Sequence, residues 1–288
     1  MQSLMMVTKI RAVILLLSLI LVAWKQPAPA DEITIAAASD LNFVLQELTA
    51  QFEKSTGNKV KLTFGSSGNF FAQIQNGAPY DLFFSADMEY PRRLEQQGLA
   101  ESGGLYRYAT GKIVLWALAE SSLDVSRGLP ALLDAGVRKI AIANPAHAPY
   151  GRAASDALHH EGLYDKVADK LVFGENISQT AQFVLTGNAD AGIVALSLAV
   201  APSMKAKGKF FLIPSDEYAP LEQAAVMVRS SQKKNTAREF LEFLRTPKSI
   251  AIMKQYGFSL PQDGNEHRGP LKKTPPSKKK KHEAANRQ

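Results

Sequence analysis

Hydrophobic and polar positions along this chain alternate between two kinds of segment. Short runs of apolar residues, such as ITIAAA at 33–38, are followed by longer segments in which apolar residues recur every three or four positions, as at 41–52. The short runs predict buried strands, and the longer segments predict amphipathic helices. Their alternation is typical of an α/β fold built around largely parallel sheets.

The same alternation continues to residue 256. Further strands are predicted at 59–64, 81–86, 111–118, 139–144, 171–173, 191–195, 209–214 and 224–229. Further helices are predicted at 69–75, 89–97, 152–160, 179–185, 236–244 and 248–256. These strands are too many for one small sheet and suit two α/β lobes with a ligand cleft between them. We predict a first lobe at 31–110 that is completed by 223–262, and a second lobe at 111–222.

The first thirty residues differ from the rest of the chain. Lys9 and Arg11 precede the apolar run at 12–24, and the small residues APA follow at 28–30. This order is typical of a secretory signal peptide, and the run of about thirteen apolar residues is shorter than the ~20 that span a bilayer. We therefore expect a periplasmic protein whose mature chain begins at Asp31, with a retained, tethered form as the alternative.

The net charge of +7 is concentrated at the two ends of the chain. Residues 1–30 contribute +3 and residues 265–288 contribute +6, which leaves −2 for residues 31–264. The body is therefore not a basic nucleic-acid binder. The Pro- and Lys-rich residues 263–288 predict a disordered tail, which is either solvated and silent or contacts anionic lipid or nucleic acid. The chain has no cysteine, which excludes disulfides and thiol chemistry.

Four junctions between a predicted strand and the next helix share one chemistry. They read AASDL, FGSSGN, NPAHAPYGRAA and GENISQT, and each combines a helix start with a hydroxyl or a glycine. Ligands of α/β sheets bind at these strand ends, where unpaired helix N–H groups attract anions. No Arg or Lys stands at a strand tip, so an oxyanion here is expected to be held by neutral donors. Taken singly, each polar residue is explained as a helix cap. We expect Asp40 to use its carboxylate as a cap and to offer a ligand only its backbone N–H.

Several segments in this order resemble the periplasmic molybdate-binding proteins of ABC transporters. They are AAASDL, FGSSGNFFAQIQNGAPYDLFFSAD, GKIVLWA, NPAHAPYGRAA, ENISQT, ADAGIVALS and YGF, and together they extend over about residues 33–261. The resemblance implies the two-lobed type II periplasmic binding protein fold, with molybdate or tungstate held between the lobes by hydroxyls and amides. It also implies a monomer that serves an inner-membrane ABC permease, binds no nucleic acid, needs no cofactor or free metal ion, and is not an enzyme.

The resemblance assigns roles to individual residues. It implies that Ser39 and Ser67 bind the oxyanion with their hydroxyl groups, and that Tyr150 and Ile177 bind it with their backbone amides. Some members of the family have a tyrosine where this chain has Ala195, whereas others carry a tyrosine at the position of Tyr150. Whether Tyr150 donates its hydroxyl as well as its amide stays open.

Two other kinds of function compete with this one. A serine hydrolase would use Ser67 as its nucleophile, and only His147 among the five histidines could face the cleft, but the sequence places no acid to orient it. The same fold could instead bind sulfate, phosphate, an amino acid or a metal ion. No Arg stands at a strand tip to bind an amino-acid carboxylate, and no cluster of His and Glu has the spacing of a metal site.

Overall fold

The computed structural model describes residues 30–261, which form two lobes, each built on one five-stranded sheet. The predicted signal peptide up to residue 29 and the predicted tail from residue 263 lie outside the described residues. No helix within 30–261 is long and apolar enough to cross a membrane.

Ten strands form the two sheets. They are β1 (Glu32–Ala38), β2 (Lys59–Gly65), β3 (Leu82–Ser85), β4 (Tyr106–Gly111), β5 (Ile113–Leu118), β6 (Ile140–Ala143), β7 (Leu171–Gly174), β8 (Ala191–Ala195), β9 (Gly208–Leu212) and β10 (Leu221–Met227). The first sheet has the order β2-β1-β3-β10-β4, and the second has the order β7-β6-β8-β5-β9. The late strand β10 therefore belongs to the first lobe, between strands from the beginning of the chain.

Ten α-helices cover the sheets. They are α1 (Asn42–Thr56), α2 (Ser67–Gln75), α3 (Glu89–Gln96), α4 (Pro149–His160), α5 (Tyr164–Val167), α6 (Ile177–Leu185), α7 (Leu196–Ala199), α8 (Pro202–Lys205), α9 (Lys234–Leu244) and α10 (Pro247–Gln255). Short 3-10 helices lie at Ser39–Leu41, Val125–Arg127, Leu129–Leu133 and Ala168–Lys170.

Helix α1 illustrates how the apolar pattern produces this packing. Its residues Val44, Leu45, Leu48 and Phe52 are buried against the first sheet because they recur on one face of the helix. The helix ends at Gly57, whose φ of +80° is accessible to glycine at little cost. The ring of Phe52 meets that of Phe240 edge to face, with 5.1 Å between centroids, so α9 closes the core of the first lobe.

The chain passes between the lobes twice. Strand β4 ends at Gly111 and β5 begins at Ile113, so Lys112 alone separates strands of different sheets. The chain returns to the first sheet between the end of β9 and the start of β10. Both sheets are mixed, because β10 is antiparallel to β3 and β4, and β5 is antiparallel to β8 and β9. This agrees with the predicted fold class, in which each lobe has a mixed or parallel sheet flanked by helices.

Among the helices that begin earlier than the apolar pattern predicts are three that start at the strand-to-helix junctions. Helices α2, α4 and α6 start at Ser67, Pro149 and Ile177, two or three residues ahead of the predicted starts. The pattern missed these first turns because they are short and include polar residues and a proline, so they show no apolar periodicity. The predicted ligand-binding residues on these three helices therefore lie within the first turns, where backbone N–H groups have no intrahelical partner.

Candidate functional site

A small cavity of about 10 Å³ lies between the two lobes. All five residues predicted to bind an oxyanion line it, and the complete lining is Ala38, Ser39, Asp40, Gly65, Ser66, Ser67, Ala86, Ala148, Pro149, Tyr150 and Ile177. The residues come from the ends of β1, β2 and β3 and from the starts of α2, α4 and α6. The structure therefore brings the predicted residues together at the carboxyl ends of parallel strands. Their contact with an anion stays a prediction.

Ser39 joins the two lobes at this cavity. It follows β1 directly and is 2% exposed. Its hydroxyl donates to Oδ1 of Asn176 at 3.0 Å and accepts from the N–H of Ser178 at 3.2 Å. The Ser178 hydroxyl in turn donates to the carbonyl of Ser39 at 2.9 Å. The hydroxyl of Ser39 is thus in direct contact with the start of α6, which includes Ile177.

Ser67 is fully buried as the first residue of α2. The preceding Ser66 is extended, with φ −84° and ψ 148°, so the helix starts abruptly after β2. The oxygen of the Ser67 hydroxyl accepts the N–H of Ala86 at 3.0 Å. Because a serine hydroxyl is one donor and two acceptors, this bond fixes the oxygen and leaves the proton available to a ligand.

The hydroxyl of Tyr150 is not free to donate to a ligand. The hydroxyl donates to Oδ2 of Asp40 at 3.1 Å, and the side-chain amide of Gln223 donates to the same carboxylate oxygen at 2.8 Å. The Gln223 amide also lies 3.0 Å from the Tyr150 hydroxyl oxygen. Burial and the neighbouring Asp40 hold the pKa of Tyr150 well above its ordinary value. Tyr150 thus keeps its proton, and in this structure that proton is used by Asp40.

Asp40 does not act as the helix cap that the sequence suggested. The carboxylate accepts no hydrogen bond from a helix N–H, because it turns towards Tyr150 and Gln223. It is 1% exposed, and burial raises its pKa to about 7, although the hydrogen bonds from Gln223 and Tyr150 offset part of the effect. Its second oxygen, Oδ1, has no hydrogen-bond partner among residues 30–261.

Further contacts join the lobes beside the cavity. The N–H of Gly68 donates to the carbonyl of His147 at 2.9 Å, and the Ser66 hydroxyl lies 2.9 Å from Nδ1 of the same histidine. The side chain of Asn69 donates to Glu175. The guanidinium of Arg152 donates to Oδ2 of Asp87 at 2.6 Å, in an ion pair that is mostly buried on the Asp87 side.

The contacts of His147 bear on the hydrolase alternative. Its ring contacts Ser66 and lies 3.7 Å from a carboxylate oxygen of Glu175, whereas the candidate nucleophile Ser67 is bonded to Ala86. Serine, histidine and acid thus meet here, but the histidine faces the neighbouring serine. Within residues 30–261, no group of three or more metal-binding side chains comes together.

Comparison with known proteins decides the family. The sequence model of the bacterial extracellular solute-binding proteins matches residues 33–259. The chain belongs to this family. A relative in Rhodobacter capsulatus, "Molybdate-binding protein ModA", is 38% identical over 81% of this chain and 90% of its own length. ModA of Azotobacter vinelandii is also 38% identical, over 81% of this chain and 92% of its own. The solved periplasmic molybdate-binding protein of Azotobacter vinelandii matches with a TM-score of 0.76 and 39% identity, over 80% of this chain and all of its own.

As a solute-binding protein of this family, the chain is not an enzyme. Its relatives are solute-binding proteins, so the alternative of a serine hydrolase is rejected. The cluster of Ser66, His147 and Glu175 is then explained by a structural role. Ser66 belongs to the first lobe and the other two to the second, so their contacts hold the lobes of this solute-binding protein together around the cavity.

The sequence did not reveal every residue that shapes the site of this solute-binding protein. Gln223 was missed although it leaves a signal, since it is a polar side chain in the apolar strand LEQAAVM and is fully buried. Ser197, whose hydroxyl donates to the carbonyl of Asp40 at 2.7 Å, was missed as well. These residues are 183 and 157 positions from Asp40, so local patterns carry no information about the contacts.

Proposed function

We propose that this protein captures molybdate, or tungstate of nearly the same size and charge, and delivers it to the permease of an ABC importer. The observation that carries the proposal is the interlobe cavity, where hydroxyl and amide donors converge without a lysine or arginine in the lining. The names of its relatives, molybdate-binding proteins at 38% identity, support the identity of the anion.

Five residues are proposed to bind the anion. Ser39 and Ser67 supply hydroxyl protons, and Asp40, Tyr150 and Ile177 supply backbone N–H groups. Ser67 needs no rearrangement, because the bond from Ala86 already orients its oxygen. Ser39 has to turn its proton from Asn176 to the anion, which is a small rotation of one hydroxyl. No cofactor takes part.

Neutral donors at fixed positions explain how such a site selects its ligand. A buried dianion is tolerated only if donors satisfy its oxygens, because desolvation of a charge is costly. A smaller sulfate or phosphate ion leaves some of these donors unpaired, and protonated phosphate brings a proton that no acceptor receives. Molybdate and tungstate are therefore expected to bind similarly, and sulfate more weakly.

Membership of the family supports a location outside the cytoplasm. Proteins of this family act outside the bacterial cytoplasm, as the family description states. We propose that residues 1–30 are a signal peptide, that the mature protein works as a monomer in the periplasm, and that its partner is a permease in the inner membrane. Residues 31–264 carry a net charge of −2, in keeping with a small-molecule carrier that binds no nucleic acid.

A thermal-shift screen tests the proposed ligand. Molybdate, tungstate, sulfate and phosphate are each added to the purified protein, and the melting temperature is compared with that of the protein alone. Molybdate and tungstate are expected to raise it, because a ligand that binds only the folded state stabilises that state by mass action. Stabilisation by sulfate without stabilisation by molybdate would assign the site to the sulfate alternative and contradict the proposal.

A further inference from the structure

Among residues 30–261, Asp40 is the only carboxylate residue in the lining of the interlobe cavity. Its Oδ2 accepts hydrogen bonds from Tyr150 on α4 and from Gln223 on β10. Its carbonyl accepts the hydroxyl of Ser197 on α7. Each of these partners is uncharged, so the carboxylate has donors but no countercharge.

The two arginines on the elements around Asp40 are engaged elsewhere. On α4, Arg152 forms its ion pair with Asp87. Strands β4 and β10 pair Arg107 with Glu222 at 2.6 Å. The other titratable group that faces Asp40 is Tyr108 on β4, whose hydroxyl donates to the carbonyl of Ser85 at 3.0 Å. Among residues 30–261, no cation makes an ion pair or a hydrogen bond with Asp40.

We propose that the oxyanion is bound together with one proton, which the carboxyl group of Asp40 takes up from solvent. The inference rests on the proposed function, since it concerns the same cavity. An ionised Asp40 and a dianion in one buried cavity repel each other strongly, because the interior screens charges poorly. Proton uptake converts the carboxylate to a neutral acid and removes that repulsion, and no other bond is made or broken.

The geometry also indicates which oxygen receives the proton. Oδ2 already accepts two hydrogen bonds, whereas Oδ1 is buried without a partner among the described residues. A proton on Oδ1 neutralises the carboxylate at the oxygen that no described donor occupies. The Tyr150 and Gln223 bonds to Oδ2 stay in place.

The free protein is already close to this state. Burial raises the pKa of Asp40 to about 7 before any anion is present. A dianion in the same cavity raises this pKa further, because a negative neighbour disfavours the charged form of a carboxyl group. Near pH 8 the free protein is mostly ionised at Asp40 and the complex is mostly protonated, so binding there is expected to consume a proton.

Isothermal titration calorimetry measures this proton directly. Molybdate is titrated into the full protein near pH 8 in several buffers of different ionisation enthalpy, and the dependence of the observed enthalpy on that quantity gives the number of protons taken up. We expect nearly one proton per anion near pH 8 and much less near pH 5.5, where Asp40 of the free protein is already protonated. The affinity is expected to fall by up to about tenfold per pH unit above pH 7.

Two variants identify the group that takes up the proton. Asp40→Asn is neutral at every pH, so its molybdate binding is expected to occur without proton uptake, and its affinity is expected to lose the wild-type decrease above pH 7. Asp134→Asn is the matched control, because Asp134 pairs with Arg127 in the second lobe away from the cavity. It is expected to take up the same proton as the wild type.

The outcomes separate this inference from the proposed function. Tight molybdate binding near pH 8 without proton uptake contradicts the inference alone, and so does an Asp40→Asn variant that takes up the wild-type number of protons. A protein that binds no molybdate at any pH contradicts the proposed function as well. If Asp40→Asn fails to fold, the buffer series on the wild type still decides whether a proton accompanies the anion.

Discussion

The hydroxyl of Ser67 is the best-oriented side-chain donor of the proposed site. Its oxygen is held by the N–H of Ala86, and its proton has no competing acceptor in the observed hydrogen bonds of residues 30–261. A hydrogen bond to a charged group contributes about 1.5–3 kcal/mol. We therefore expect Ser67→Ala to weaken molybdate binding by roughly 10- to 100-fold in titration calorimetry.

A second serine provides the control for this prediction. Ser55 lies on the exposed side of α1 and donates its hydroxyl to the carbonyl of Phe52 at 2.9 Å. Ser55→Ala removes the same atom far from the cavity and is expected to leave the affinity unchanged. Equal affinities for wild type and Ser67→Ala would mean that Ser67 does not contact the anion. Ser39→Ala is expected to behave like Ser67→Ala, because it removes the other proposed hydroxyl donor.

Asp40 also makes the stability of the protein depend on pH. The folded protein keeps the proton up to a pKa of about 7, whereas the unfolded chain loses it near 3.8. The folded state therefore binds more protons between these values and loses stability as the pH rises through them. The difference amounts to about 4 kcal/mol in the free energy of unfolding.

Denaturant unfolding near pH 5 and near pH 8 tests this second prediction. Wild-type protein without ligand is expected to be less stable near pH 8, and Asp40→Asn is expected to remove most of the decrease. The exposed pair partner Asp134 serves again as control, because Asp134→Asn should keep the wild-type pH dependence. An unchanged pH dependence in Asp40→Asn would assign the effect to other groups.

Among the elements, the start of α2 is fitted closely to the opposite lobe. A methyl group on Gly68 would come within 2.8 Å of the carbonyl and the Cβ of His147 and within 2.7 Å of the Tyr90 hydroxyl. Only the hydroxyl can move away easily, since the other two atoms belong to or adjoin the backbone. Gly68→Ala is therefore expected to obstruct contact between the lobes while α2 itself, where alanine is favourable, still forms.

The expected result of Gly68→Ala is weaker molybdate binding with a nearly unchanged melting temperature of the ligand-free protein. Gly136→Ala is a suitable control, because no atom lies within 4 Å of a methyl group placed there and its backbone is not in the left-handed region. Wild-type affinity in Gly68→Ala would show that the lobes do not need this contact to bind the anion.

The elements also show how far the sequence could predict the fold. Strands and helices with a regular apolar face were predicted within a few residues, as for α1 and β8. The strand predicted at 111–118 is β5, but it begins only at Ile113, because Gly111 ends β4 and Lys112 lies between the two sheets. Strand β4 was missed because its sequence YRYATG is largely polar and only part of it, including Tyr108 and Ala109, is buried.

The residues of the site were predictable to about the same extent as the strands and helices, because both predictions depend on local sequence patterns. Strand ends followed by helix starts can be read locally, and the family resemblance assigned the individual residues at these junctions, all five of which line the cavity. Local patterns could not show that Gln223 is a partner of Asp40, because Gln223 lies on β10, the strand of the first sheet that comes last in the chain. The orientation of a side chain such as Asp40 depends on such distant partners, and its expected role as a cap was wrong for that reason.

On the scale of the whole molecule, contacts outside the cavity lining also hold the two lobes together. The strongest candidate is the ion pair between Arg152 of the second lobe and Asp87 of the first, at 2.6 Å. Burial raises the pKa of Asp87, while Tyr90 and Arg152 offset part of this effect. When the lobes separate, both groups regain water, so the pair contributes mainly to the closed arrangement.

Removal of this ion pair should therefore affect closure and not the anion contacts themselves. Because Arg152 is about a third exposed, the pair is expected to contribute only about 1 kcal/mol, and Arg152→Gln should weaken molybdate binding roughly fivefold. The loss should shrink in Asp87→Asn/Arg152→Gln, where no unpaired carboxylate remains. The control is Arg127→Gln, which breaks an ion pair with Asp134 inside one lobe and should leave the affinity unchanged.

Small-angle X-ray scattering shows whether the change acts through closure. Molybdate is expected to decrease the radius of gyration of the wild type, because the ligand binds residues of both lobes and favours their contact. Arg152→Gln should need a higher molybdate concentration to reach the same compact form, while the compact form itself stays the same. If Arg152→Gln lowers the affinity but saturates at a larger radius than the wild type, the ion pair determines the geometry of the closed form and not only its population.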